Sequence, residues 1–131
     1  MLVRQRLDMK NTRIGILGLS FKEDCRDIRN SKVIDIIREL QDYGISPLVV
    51  DPGVDAEEAY KEYGIELSEL SSLKDLNVAV VAVAHREFTE MSISDFDRMY
   101  SRDNHMKIMV DIKGIYSKST YEANGYYYWS L

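Results

Sequence analysis

Arg13-Ile14-Gly15-Ile16-Leu17-Gly18-Leu19 is a mostly apolar run that leads directly into Ser20-Phe21-Lys22-Glu23-Asp24-Cys25-Arg26-Asp27-Ile28-Arg29-Asn30-Ser31. The first half is apolar without alternation, as in a strand covered on both faces of a parallel sheet. The second half presents an aromatic, a lysine and two arginines. A strongly amphipathic stretch follows it, with Val33, Ile36, Ile37 and Leu40 on one stripe. Cations at the carboxyl end of a strand, beside a helix amino terminus, suit an anionic ligand: exposed N–H groups and the helix dipole both favour negative charge there.

The same reading extends outward. Continuous apolar runs predict strands over 13–19, 47–51, 78–84 and 108–112. Asn30 or Ser31 is placed to cap the first helix and Gly44 to close it. A second helix over 56–63 has Ala56, Ala59, Tyr60 and Tyr63 as its apolar positions, Asp55 with Glu58 as a capping pair, and Gly64 as its stop. Shorter helical patterns cover 68–76 and 94–100. Tyr126-Tyr127-Tyr128-Trp129 is too apolar for a free tail and is expected to pack on the domain or on a partner. Alternating strands and helices give an α/β fold with a mainly parallel sheet and helices on both faces. Ligands in such sheets sit beyond the strand carboxyl ends. Those ends fall at 20–22, 51–53, 85–87 and 113–115.

With 131 residues the chain is expected to be one domain over 13–131, preceded by a tail or linker over 1–12. A net charge of −5 argues against a nucleic-acid-binding face. A phosphate ester remains compatible, because salt screens charges beyond about 8–10 Å. No apolar run is long enough to span a bilayer, and 1–10 lacks a signal-peptide core, so no membrane contact and a cytoplasmic location are expected. The single cysteine excludes an internal disulfide framework. No His/Cys pair has metal-ligand spacing, so no metal is expected.

Gly15 and Gly18 do not complete the Gly-x-Gly-x-x-Gly dinucleotide fingerprint, because Phe21 and Lys22 occupy the turn. They read as glycines that admit close packing. Asp51-Pro52-Gly53 reads as a turn, with a ribose contact as the alternative. A phosphoacceptor role for Asp51 is excluded, since an acidic pair is missing after the first strand. His85 reads as a turn or capping residue, with ligand contact as the alternative. Cys25 reads as a small loop residue rather than a nucleophile, having no base nearby in sequence. Lys22 and Arg29 are either ligand cations or surface charges paired with Asp24 and Asp27.

Four stretches together resemble the C-terminal, UDP-binding domain of the UDP-glucose/GDP-mannose dehydrogenase family. They are Ile16–Lys22 continued through Arg29-Asn30-Ser31, Tyr43-Gly44 through Val50-Asp51-Pro52, Val81–Phe88 with its His85-Arg86-Glu87-Phe88 end, where the family commonly shows Thr/Ala-x-His-x-x-Phe, and Val110-Asp111-Ile112-Lys113-Gly114. Asp-Ile-Lys-Gly and an ending in Trp-x-Leu resemble the members acting on UDP-N-acetylhexosamines for surface polysaccharides. The resemblance implies a three-layer Rossmann-like domain. Phe21 and Lys22 would then meet the nucleotide-sugar, and Arg29 would reach NAD across a cleft. Lys113 stands where the family commonly has an arginine on the substrate, a point charge in place of a two-pronged donor. The family oxidises a sugar C6 alcohol to a carboxylate with NAD, through a cysteine in an earlier part of the polypeptide. No catalytic residue is therefore expected in this chain. The NAD-binding and central domains of the same polypeptide would be its partners, in a homo-oligomer. The alternatives are a non-catalytic nucleotide-binding module and an oligomerisation module.

Overall fold

The structure, a computed structural model, describes residues 12–20, 28, 31–102 and 106–130. β1 (Ile14–Leu17), β2 (Leu48–Val50), β3 (Val78–Val81), β4 (Lys107–Asp111) and β5 (Tyr126–Ser130) form one sheet in the order β2-β1-β3-β4-β5. Every neighbouring pair is parallel, with Ile16 between Val49 and Val80 and Met109 opposite Tyr128.

Strand residues alternate between two cores, as the period of two requires. Ile14, Ile16, Val49, Val78, Val80 and Ile108 meet Val33, Ile34 and Ile37 of α1 (Val33–Asp42) and Ala59 of α2 (Ala56–Tyr63). Leu17, Val50, Ala79, Val81 and Met109 meet the opposite layer. That layer holds Phe88 of α3 (Arg86–Thr89), Phe96 of α4 (Ile93–Asp97) and Tyr121 of α5 (Lys118–Ala123). The three-layer α/β expectation holds, with a wholly parallel described sheet.

Local signals explain the boundaries. The Ser31 hydroxyl, one residue before the N-cap Lys32, accepts the Val33 N–H and donates to the Leu19 carbonyl at 2.6 Å, so it ties the start of α1 to the end of β1. Gly44 and Ile45 close α1 by donating to Gln41 and Leu40 carbonyls, with Gly44 at φ +82°, a Schellman ending. Asp55 caps α2 through the N–H groups of Glu57 and Glu58.

Two expectations change, and three elements are added. Residues 68–76 form only a 3-10 turn, Leu70–Ser72. The leucine spacing of three suits that tighter turn, and Leu73 and Leu76 are buried where Gly15 leaves room. On α2 only Ala59 is buried and Tyr63 half-buried, while Tyr60 is exposed. Ala59 and Tyr63 share a stripe four residues apart; Ala56 and Tyr60 lie one residue round from it. The short α3 and α5 were not anticipated. The aromatic C-terminus is itself a strand, β5, with Tyr126 and Tyr128 buried and Tyr127 and Trp129 exposed. No helix among the described residues is long and apolar enough to cross a membrane.

Candidate functional site at the carboxyl edge of the sheet

β1 is the point where the chain order reverses: β2 lies on one side of it and β3 on the other. In open α/β sheets ligands occupy the crevice at such a switch point. The residues just beyond these strands are Ser20, Asp51 and His85, all buried.

Asp51 organises this edge. Its Oδ2 accepts the N–H groups of Leu19 at 2.8 Å and Ser20 at 3.0 Å. His85 Nε2 lies 3.0 Å from the same oxygen. Its Oδ1 accepts the Gly53 N–H at 3.0 Å, the turn expected at Asp51-Pro52-Gly53. Burial works to raise this carboxyl, but the His85 hydrogen bond and the two backbone N–H groups outweigh it and hold it below its ordinary 3.8. An ionised carboxylate only accepts, so His85 Nε2 carries hydrogen. Ser20 Oγ lies 3.0 Å from that same nitrogen. A nitrogen already protonated toward Asp51 cannot take the serine proton. The trio is therefore no nucleophilic triad, which would use the two ring nitrogens separately. It is a clasp on the backbone of Leu19 and Ser20, just beyond β1.

Ile28 is tied down separately, where the Tyr63 hydroxyl donates to its carbonyl at 2.5 Å. Gly18 gives the close approach that the glycines were expected to provide. Its φ is +109°, and a Cβ there would stand 2.7 Å from Val83 Cβ. Val83 and the leucines beside Gly15 fill both spaces, so neither glycine leaves a cradle for a pyrophosphate.

Phe21, Lys22, Arg29 and Cys25 lie outside the described residues. Lys113 is exposed, in the turn two residues after β4. His85 stands at the N-cap position of α3, as expected of a capping residue, but its side chain makes no capping bond and serves the clasp instead. Its pairing with Asp51 was not anticipated. Asp111, fully buried at the end of β4, was likewise not singled out as an anchor. Among the described residues no group of three His, Cys, Asp or Glu could hold a metal ion.

The UDP binding domain model of the UDP-glucose/GDP-mannose dehydrogenase family matches residues 15–118. The chain belongs to this family. As a UDP binding domain it is 39% identical over 114 residues to Protein CapL of Staphylococcus aureus, covering 87% of this chain and 26% of that protein. It is 37% identical over 113 residues to the UDP-N-acetyl-D-glucosamine 6-dehydrogenase of Salmonella typhi, covering 86% of this chain and 26% of that enzyme. The fold matches the NDP-N-acetyl-D-galactosaminuronic acid dehydrogenase structure from Methanosarcina mazei with a TM-score of 0.83 at 18% identity, over 99% of this chain and 26% of that one. The UDP binding domain thus spans about a quarter of the length of the relatives it matches.

Proposed function

We propose that this domain forms the nucleotide-sugar wall of an NAD-dependent UDP-sugar 6-dehydrogenase, acting on a UDP-N-acetylhexosamine for surface polysaccharide synthesis in the cytoplasm. The family match over 15–118 carries this reading. The clasp at the switch point supports it by fixing the backbone of Leu19 and Ser20 at the ligand edge.

In this proposal residues 13–131 are the domain and 1–12 lead into it from NAD-binding and central domains of the same polypeptide, which assembles as a homo-oligomer. Phe21 and Lys22 bind the nucleotide-sugar, Lys113 adds a cation to its charged part, and Arg29 reaches NAD. NAD, when bound, would supply the hydride acceptor for oxidation at the sugar C6 carbon. The filled spaces at Gly15 and Gly18 suit a domain that does not cradle the dinucleotide itself. The nucleophilic cysteine belongs to another part of the polypeptide, so this chain alone oxidises nothing.

Calorimetric titration tests the reading. UDP-sugars bind the chain, while ATP and cyclic nucleotides do not; Lys22→Ala abolishes the heat and Lys32→Ala leaves it. Equal effects of the two substitutions, or turnover of NAD by the chain alone, contradict it.

The exposed Tyr127 and Trp129 favour a second reading, an oligomerisation module. Truncation after Ser119 would remove β5 and its buried tyrosines, so paired Tyr127→Ser and Trp129→Ser substitutions are the proper test. Loss of self-association with UDP binding intact supports the second reading.

A further inference from the structure

The Asp111 side chain is fully buried, yet only one of its oxygens is used. Oδ2 accepts the Tyr116 N–H at 2.9 Å and the Tyr128 hydroxyl. Oδ1 has no hydrogen-bond partner among the described residues. A buried acceptor left unpaired is costly, and such a group calls for a reason. An aliphatic side chain here would avoid the cost but lose both bonds.

Those bonds hold the turn that carries Lys113. The Ile112 N–H donates to the Val81 carbonyl at 3.0 Å, and the Gly114 N–H to the Asp111 carbonyl at 3.3 Å. Tyr116 then closes the turn back onto the Asp111 carboxylate. The Tyr128 oxygen also lies 3.2 Å from the Tyr116 carbonyl oxygen, so β5 braces the same point. From there the Tyr116 hydroxyl donates to the Phe88 carbonyl at 2.5 Å, and the Phe88 ring lies 5.6 Å from that of His85. The Lys113 turn is thereby connected to the Asp51 clasp across the carboxyl edge.

We propose that Asp111 and Tyr128 are positioning residues that set the Lys113 turn for the diphosphate of a nucleoside-diphosphate sugar. They act through Lys113 and do not touch the ligand. The inference rests on the reading of this edge as the UDP-sugar site. Tyr128 lies beyond the residues that the family model matches, 15–118, so its role comes from the geometry alone.

A double-mutant cycle on the whole chain, titrated with UDP, tests the inference. Lys113→Ala and Tyr128→Phe each weaken UDP binding by about tenfold, and the double variant is no weaker than Lys113→Ala within about twofold. A general structural effect would instead multiply, to about a hundredfold. Multiplying losses, or wild-type affinity in Tyr128→Phe, overturn the proposal. Asp111→Asn runs through the same cycle with the same expectation, and decides the matter if Tyr128→Phe does not fold. If the unsubstituted chain fails to bind UDP, the reading of the edge as a UDP-sugar site falls first, and the positioning role with it.

Discussion

His85 Nε2 lies 3.0 Å from Asp51 Oδ2, although the strands that deliver them, β3 and β2, are not neighbours in the sheet. β1 runs between them, and the pair closes over its end. The contact therefore spans the switch point and holds the backbone of Leu19 and Ser20 from both sides.

Removing the carboxylate should be severe. Asp51→Ala strands the buried N–H groups of Leu19 and Ser20 together with His85 Nε2. The expected loss of unfolding free energy is about 3–5 kcal/mol, measured by urea denaturation. Asp55→Ala, which removes an exposed helix cap, should cost about 1 kcal/mol. Similar costs for the two would show that the clasp contributes little.

Acid stability follows from the same group. A carboxyl held below 3.8 in the folded chain binds fewer protons than in the unfolded chain. Its contribution is complete above the unfolded value and disappears as pH falls through the folded value. The stability difference between wild type and Asp51→Asn should be constant near neutrality and shrink only below about pH 4. A difference already shrinking near pH 6 would assign the titration to another group.

Alkaline behaviour has the opposite sign. Burial pushes up the hydroxyls of Tyr100, Tyr116, Tyr126 and Tyr128, and that of Tyr121 to about 12. A raised value means stability present below the ordinary 10 and lost as pH rises through the folded value. These five rings meet one another and Phe96 in one aromatic cluster. Their ionisation, followed by ultraviolet absorbance, should coincide with loss of ellipticity. Independent ionisation in a chain that stays folded would contradict this.

Gly15 in β1 and Gly18 just beyond it should respond differently to alanine. At Gly18 the backbone is at φ +109° and the new Cβ meets Val83 backbone and side chain at 2.9 Å and 2.7 Å. Gly18→Ala should cost about 2–4 kcal/mol. At Gly15 the clash is with the tip of Leu76, at 2.9 Å, which can move. Gly15→Ala should cost about 1 kcal/mol. Thermal melts of both variants check the order.

Much of the scaffold could be read from residue patterns. β1 and β3 are covered on both faces, so Ile14–Leu17 and Val78–Val81 stand out as unbroken apolar runs. β5 did not, because Tyr126 and Tyr128 turn inward while Tyr127 and Trp129 turn outward, and all four are aromatic. The four residues of α3 and six of α5 are too few to show a helical period. At the site, the strand ends were legible but the partnerships across them were not. Asp51 and His85 meet only because β1 is inserted between their strands, an order that no local pattern encodes. The hold of Tyr128 on Asp111 likewise depends on the register that sets Met109 opposite Tyr128.

In the proposed function the UDP moiety sits at the carboxyl edge of this sheet. Amide chemical shifts recorded while UDP is added to the labelled chain test it most directly. Saturable shifts are expected at Leu19, Ser20, Ile112, Lys113 and Gly114. Shifts confined to the opposite edge, at Arg13, Ile14, Ile45 and Ser46, or none at saturating UDP, would contradict it.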